Sequence, residues 1–198
     1  YLKEDNIQTD ILRIWDYKLA VYGAEIIKKR NDFIKKIEKV SSDIHSSITS
    51  GKEALTVEYE ANIPYGENLR EEFLTETEKS LERDLSQRTT SRGPHKDDLK
   101  ICINGVDIRH FGSQGQQRTA ALSLKLAEIK LIKELTGEDA VLLLDDVLSE
   151  LDKSRQSYLV NCLNKVQIFI TTTEISEEVA DSFPDGITYH IKNGRIER

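Results

Sequence analysis

The sequence contains no methionine, only two cysteines and three prolines, and no long apolar run. A transmembrane helix needs about 18 consecutive apolar residues. No segment provides them, and no signal-peptide pattern is present. The absence of methionine from a chain that begins at Tyr1 leads us to expect a piece of a longer protein. Cys102 and Cys162 lie in apolar runs, which predicts buried free thiols in a reducing compartment.

The formal net charge is -7, and 32% of the residues are charged. An acidic balance argues against a protein that coats nucleic acid, but it leaves a local basic surface open. A basic group lies within residues 10–49, where apolar residues recur every three or four positions and predict a long helix. The group can follow a nucleic-acid backbone or form the solvated face of the helix; its members are Lys28, Lys29, Arg30, Lys35, Lys36 and Lys39.

The pattern of the first 90 residues predicts a helical arm. After the helix over residues 10–49, the alternating segment "ALTVEYEA" at residues 54–61 predicts a strand. Residues 68–88 predict a second, highly charged helix with apolar residues on one side. The segment "TTSRGPH" interrupts this pattern, so we place a boundary near Thr90 and predict an arm domain at residues 1–90.

Residues 91–198 alternate between strand and helix patterns, which predicts an α/β lobe. The segments "LKICING" and "VDIRHF" predict a hairpin that turns at Asn104-Gly105. Continuous apolar runs in "AVLLLD" and "VQIFIT" are typical of strands buried on both faces of a mostly parallel sheet. The other predicted elements are helices over residues 114–135, 152–164 and 175–182 and a closing hairpin in "ITYHIKNGRIE".

The segment "VLLLDDVLSELD" gives the strongest local signal for a functional site, because an apolar strand ends in Asp145 and Asp146. In open α/β sheets, ligands bind beyond the carboxyl ends of the strands. The first acid can hold Mg²⁺ through water, and the second can orient or deprotonate an attacking water. Alternatively, the pair caps the next helix or solvates the strand end.

The segment "GSQGQQRT" predicts a helix N-terminus suited to an anion. Ser113 can cap the helix, and Gly115 allows a ligand to approach the backbone closely. Gln116 and Gln117 add amide donors, although an ordinary capped helix would have the same pattern. A complete nucleotide loop is missing, because the one Gly-Lys pair is followed by Glu53 and does not fit G-x-x-x-x-G-K-[ST].

Four segments together resemble the RecF family of DNA replication and repair ATPases: "GPHKDDLKICING", "FGSQGQQRTAALSLKLAEI", "LLLDDVLSELDKSR" and "IFITTTE". Two others, "IWDYKLAVYGAEIIKKR" and "RDLSQRTTSRGPHKDDL", resemble that family's helical arm and its return, so that the resemblance covers nearly the whole chain. It implies an α/β fold that forms the C-terminal half of an ABC-type ATPase head, with a partly parallel sheet flanked by helices and a helical arm domain. The lobe with signature motif, Walker B strand and D-loop would span residues 91–198, and the N-terminal lobe with the P-loop would be absent.

The resemblance also implies roles for individual residues. Asp145 would be the Walker B acid that holds Mg²⁺ through water, and Asp146 the general base, where most ABC ATPases have glutamate. A signature motif would contact the γ-phosphate of ATP held by the other subunit, and a D-loop would cross the dimer interface. The signature comprises Ser113, Gln114, Gly115 and Gln116, the D-loop comprises Ser149, Glu150, Leu151 and Asp152, and Thr173 replaces the switch histidine. The resemblance implies no chemical role for "GPHKDD".

The function that the resemblance implies is that of a cytoplasmic DNA-binding repair protein. It would dimerise with ATP, hydrolyse ATP slowly with Mg²⁺, and help to load a recombinase at gapped DNA. Its partners would be double-stranded DNA or a single-strand/double-strand junction, RecR and possibly RecO. The isolated chain would be inactive without a P-loop and would act as a non-catalytic interaction and dimerisation module of an SMC-like ATPase.

A metal-dependent nuclease is a further alternative. It would require the acid pairs Asp97-Asp98 and Asp145-Asp146 to converge on two metal ions about 4 Å apart.

Overall fold

A computed structural model describes residues 2–4, 8–148, 152–163, 166–173, 175 and 177–197. The chain forms two compact units, Tyr1–Leu124 and Lys125–Arg198. This division lies within a helix rather than near Thr90, because the strand of the predicted arm pairs along its whole length with the first strand after the predicted boundary. The two units are described separately below.

Two helices form the arm of the first unit: α1 (Thr9–Ile48) and α2 (Leu69–Gln87). Both match the sequence prediction to within one or two residues. They pack where the fully buried ring of Phe73 lies against Gly23; a Cβ atom at Gly23 would come within 2.4 Å of that ring. The surrounding core cluster contains Ala20, Ile27 and Ile63.

A three-stranded antiparallel sheet follows, in the order β1 (Leu55–Glu60), β2 (Asp98–Ile103), β3 (Val106–Asp107). The predicted turn is confirmed, since Asn104 and Gly105 have φ values of 51° and 79°. The predicted strand "VDIRHF" is wrong beyond its second residue. There the Asp107 carboxylate accepts a hydrogen bond from the Arg109 N–H at 2.8 Å and caps the short helix α3 (Ile108–Phe111).

The helix α4 (Gln114–Thr136) leads from the first unit into the second and ends at Gly137, whose φ is 75°. In the second unit, β4 (Leu142–Asp145) pairs in parallel with β5 (Ile168–Thr171), which confirms the α/β class. The remaining elements are α5 (Lys153–Leu163), α6 (Glu177–Asp181), and the hairpin of β6 (His190–Lys192) and β7 (Arg195–Glu197).

Burial of β4 and β5 on both faces is a wrong prediction for this chain. Leu144 is buried, but Leu143 is 72% exposed and Phe169 on β5 is 56% exposed. Successive side chains of a strand point to opposite faces, and the described residues cover only one face of this strand pair.

Two bulk predictions have structural outcomes. Cys102 is a buried free thiol, as expected, whereas the side chain of Cys162 lies outside the described part. In the described ranges, every helix is too short or too polar to cross a lipid bilayer.

Candidate functional site

The predicted signature loop forms a reciprocal cap at the start of α4. The Ser113 Oγ accepts a hydrogen bond from the Gln116 N–H at 3.2 Å, and the Ser113 N–H donates to Gln116 Oε1 at 3.0 Å. This is the capping-box arrangement, in which a glutamine three residues after the cap returns the hydrogen bond. The helix predicted to begin after Ser113 is therefore present, and Ser113 caps it as predicted.

The cap leaves several hydrogen-bond donors at the tip of α4. The Ser113 Oγ uses a lone pair for Gln116, so its own O–H is available to donate. Within the described residues, the backbone N–H groups of Gln114 and Gly115 have no hydrogen-bond partner, as is usual for a first helical turn. Ser113 and Gln114 are exposed. Such donors at the positive end of a helix dipole suit an anion.

Two contacts to Ile108 fix the loop before the helix, and the sequence did not reveal them. The Gln117 side chain donates to the Ile108 carbonyl at 2.7 Å, and the Gly112 N–H donates to the same oxygen at 3.1 Å. A Cβ atom at Gly112 would lie 2.6 Å from that oxygen. The chain passes close to α3 because position 112 has no side chain.

A second support comes from outside the motif. Glu53 Oε1 accepts a hydrogen bond from Gln116 Nε2 at 3.1 Å, and the other Glu53 oxygen pairs with the buried His45 at 3.2 Å. In the sequence, the one notable feature of Glu53 is that it follows the Gly-Lys pair, which therefore does not match a nucleotide-binding loop. No local pattern indicates that it contacts a residue 63 positions later in the chain.

The predicted Walker B carboxylate lies at the carboxyl end of β4, beside the end of β5. Asp145 pairs in register with Thr171, whose hydroxyl donates to Asp145 Oδ1. The Asp146 N–H donates to the Thr171 carbonyl at 3.0 Å. The two acids are therefore fixed in different ways: a hydrogen bond from the Thr171 hydroxyl fixes the side chain of Asp145, and a hydrogen bond from its own N–H fixes the backbone of Asp146.

Asp146 has a left-handed backbone with a φ of 52°. Among residues with side chains, asparagine and aspartate adopt this conformation most readily, because their short polar groups can bond locally. A longer side chain such as glutamate would be less favourable here, which agrees with the aspartate at this position.

The remaining predicted site residues have different outcomes. Asp152 caps α5, because its Oδ1 accepts from the Arg155 N–H at 3.0 Å and its Oδ2 pairs with the Arg155 guanidinium at 2.7 Å. Thr173 follows β5 and is exposed. Ser149, Glu150 and Leu151 lie outside the described residues.

The two acids of "GPHKDD" have separate partners. The side chain of Asp97 is buried and accepts from the Asn62 N–H at 2.8 Å, from Arg30 at 3.0 Å and from the Tyr59 hydroxyl. Burial and the hydrogen bond to Asp97 raise the pKa of Tyr59 above its ordinary range. Asp98 is half exposed and pairs with Arg109 at 2.6 Å.

The hydrogen bond from Arg109 and that from the Leu99 N–H hold the pKa of Asp98 well below its usual value. Among the residues that the structure describes, no group of three or more His, Cys, Asp or Glu side chains is arranged to hold a metal ion.

Comparisons with known proteins give a consistent result. No family model matches the chain. The DNA replication and repair protein RecF of Agathobacter rectalis is 45% identical over 190 residues, which are 95% of this chain and 51% of that protein. The protein of the same name from Clostridium perfringens is 42% identical over 196 residues, which are 99% of this chain and 54% of that protein.

Solved structures agree with these relatives. The recombination mediator protein RecF-ATPrS in the RecFOR pathway has a TM-score of 0.82 and 41% identity, over 99% of this chain and 52% of that chain. The resemblance to the RecF family is confirmed. A second RecF structure, with ATP, has a TM-score of 0.81 and 40% identity, over 98% of this chain and 52% of that chain. The chain spans about half the length of the RecF proteins it matches.

Proposed function

We propose that this chain is part of a DNA-repair ATPase that dimerises when it binds ATP, and that the Ser113 loop completes the γ-phosphate site of a second copy. The observation that supports this most directly is the capped start of α4, where the exposed Ser113 and Gln114 and the half-buried Gly115 offer hydrogen-bond donors. The sequence contains no P-loop of its own.

The chemistry of phosphoryl transfer favours this arrangement. Catalysis depends mainly on positioning and on stabilising negative charge, so that donors from a second subunit can complete a site. ATP that contacts both subunits binds the dimer better than the monomer, and this difference in affinity favours dimerisation. The relatives with bound nucleotide, RecF-ATPrS and RecF-ATP, agree with ATP as the ligand of the complete protein.

The end of β4 would serve the catalytic step. Asp145 and the Thr171 hydroxyl offer hard oxygen atoms at an exposed strand end, which fits Mg²⁺. That ion is usually held by one or two carboxylates together with water and phosphate. When bound, Mg²⁺ neutralises charge on the phosphates. Asp146 would orient and deprotonate the attacking water.

In the complete protein, we propose the pathway role that the RecF resemblance implies. This role is slow ATP hydrolysis coupled to loading of a recombinase at gapped DNA in the cytoplasm, with RecR and RecO as partners. The description of the solved relative as a recombination mediator in the RecFOR pathway supports it. The chain alone, which has no P-loop sequence, would act as an interaction module.

The decisive test of the proposed function is Ser113→Arg in the full-length protein. The larger side chain would fill the space in front of the α4 N-terminus and remove the cap, so ATP-dependent dimerisation should fall below detection. Ser113→Ala should be milder, with about a tenfold higher concentration for half-dimerisation, because it removes the hydroxyl that caps α4 and would donate to the phosphate but adds no bulk. Sedimentation velocity with and without ATP measures both effects.

The control for this test is ATP binding to the monomer. Titration calorimetry below the dimerisation concentration should give the wild-type affinity for both variants, because Ser113 would contact only the partner's nucleotide. Dimerisation of Ser113→Arg at the wild-type level would rule out the signature assignment.

The basic group on α1 is the best candidate for DNA contact among the described residues. Lys29 and Lys36 are exposed and lie two turns apart on one side of the helix. Arg30 differs from them, since its guanidinium pairs with Asp97 and the Pro94 carbonyl. Of the predicted basic group, the lysines rather than Arg30 are therefore available to a phosphate backbone.

We expect the double substitution Lys29→Gln, Lys36→Gln to weaken DNA binding uniformly across sequences. The slope of log affinity against log salt concentration should fall by about 2, close to one unit for each lost phosphate contact. Fluorescence anisotropy with gapped duplex DNA at several salt concentrations measures this slope.

The matched control is Lys79→Gln with Lys125→Gln, which removes the same charge from ion pairs with Glu76 and Glu128. It should leave the slope unchanged. Equal loss in both double variants would mean that net charge, and not the α1 surface, determines binding.

A further inference from the structure

A continuous path of hydrogen bonds joins α1 to the signature loop. His45 on α1 is fully buried, and its Nδ1 lies 3.1 Å from the Ser123 hydroxyl on α4. Its Nε2 lies 3.2 Å from Glu53 Oε2. Because a carboxylate can only accept, Nε2 provides the proton of that hydrogen bond. The imidazole therefore holds one oxygen of Glu53 in a fixed position.

The other oxygen of Glu53 is directed at the loop. It accepts from Gln116 Nε2 at 3.1 Å, while Gln116 Oε1 accepts from the Ser113 N–H at 3.0 Å. Both ends of the Gln116 amide therefore make hydrogen bonds: the nitrogen donates to Glu53, and the oxygen accepts from the Ser113 N–H of the cap. The Glu53 side chain is 21% exposed, so its carboxylate has access to water and does not need Gln116 for its solvation.

The identity of residue 116 is informative. A capping box accepts either glutamate or glutamine at this position, because only the carbonyl-type oxygen is used for the cap. A glutamate at position 116 would place a second carboxylate against Glu53, whereas the amide donates to it. Glu53, rather than the helix cap, therefore explains why this position carries an amide.

We infer that Glu53, held by His45, is a positioning residue for the signature loop. It fixes the Gln116 side chain, and Gln116 in turn fixes the Ser113 backbone whose hydroxyl would contact the partner's γ-phosphate. The position of the loop then depends on α1 of the arm, which lies outside the motif. This inference rests on the proposed function, since it assigns a role in the same phosphate site.

A charge exchange between the two positions tests this inference in the full-length protein. Gln116→Glu keeps the oxygen that caps α4 but opposes two carboxylates. In the double variant with Glu53→Gln, the amide nitrogen at position 53 can donate to the carboxylate at position 116, which reverses the wild-type hydrogen bond. The amide oxygen at position 53 can still accept from His45. The two single variants and the double variant form a complete cycle.

We expect Gln116→Glu to raise the concentration for ATP-dependent half-dimerisation about tenfold, the usual size of one lost hydrogen bond to a charged group. The double variant should return to within about threefold of the wild type. Glu53→Gln alone should lie between them, because the single oxygen of an amide at position 53 can accept from either His45 or Gln116 but no longer from both. Monomer ATP affinity should be the same in all four proteins, and each should remain folded at the assay temperature.

Three outcomes would overturn the inference: Gln116→Glu that dimerises like the wild type, a double variant as impaired as Gln116→Glu, or a fraction of unfolded Gln116→Glu protein large enough to account for the loss of dimerisation. The proposed function has its own outcome. Dimerisation that is unaffected by Ser113→Arg overturns the phosphate site itself and the role of Glu53 with it. Dimerisation that is lost in Ser113→Arg but unchanged in Gln116→Glu overturns the role of Glu53 alone.

Discussion

Asp97→Ala should lower the free energy of unfolding of this chain by about 3 kcal/mol, because two hydrogen-bond donors would lose their shared, buried acceptor. The Asp97 side chain is only 2% exposed. It accepts hydrogen bonds from the Asn62 N–H, from Arg30 and from the Tyr59 hydroxyl. Arg30 lies on α1, whereas Tyr59 and Asn62 lie at the end of β1 and just after it, so the carboxylate joins two separate parts of the chain to the turn that contains Asp97.

The effect is large because the partners cannot all be satisfied in another way. Without Asp97, the Tyr59 hydroxyl and the Asn62 N–H would lose their acceptor inside the protein, and each unsatisfied group costs about 1–3 kcal/mol. Asn62 also accepts from the Gly93 N–H at 3.1 Å, and Gly93 has a φ of 129°. Loss of Asp97 would therefore loosen the whole turn of "GPHKDD" against β1 and α1.

Asp98→Ala is the matched control, because the neighbouring carboxylate is exposed and its partner Arg109 is exposed as well. Exposed ion pairs contribute little to stability, so the unfolding midpoint should remain close to that of the wild type. Urea unfolding followed by circular dichroism measures both variants, and an unchanged slope would show that the unfolded states are comparable. Similar shifts for the two variants would contradict the network.

The contrast between Asp97 and Asp98 also shows the limit of sequence reasoning. The sequence presents two equal acids, and their different burial follows from contacts with Arg30 and Tyr59, which are 67 and 38 residues away along the chain. Local periodicity carries no information about such pairs. It was sufficient for α1 and α2, whose apolar spacing continues over many turns.

The same distinction applies to the candidate site. The cap at Ser113 and the acids at the end of β4 follow local rules, a serine with glutamine three residues later and an apolar strand ending in aspartates. The contact between Glu53 and Gln116 depends on tertiary packing and had no sequence signal. The short helix α3 was predicted as a strand because its apolar residues alternate over too few positions to separate the two periods.

Asp146→Asn in the full-length protein should reduce ATP turnover by about 100- to 10,000-fold, the range that a general base contributes. Asparagine has the same shape and tolerates the left-handed φ of 52°. The backbone N–H can still donate to the Thr171 carbonyl. The substitution removes the charge that accepts the proton of water, so ATP should still bind and still cause dimerisation. Phosphate release at saturating ATP and Mg²⁺, together with sedimentation velocity, measures both properties.

Asp139→Asn is the control, because it removes one exposed carboxylate from the same unit, where Asp139 pairs with Lys133. It should leave turnover unchanged, which would separate the loss of a base from the loss of one negative charge. A fall in turnover without a change in KM would locate the defect of Asp146→Asn in the chemical step rather than in ATP binding. Turnover above about one tenth of the wild-type rate would be too high for the loss of a general base. The proton of the attacking water would then pass to a group other than Asp146, while Asp145 at the end of the same strand could still hold Mg²⁺.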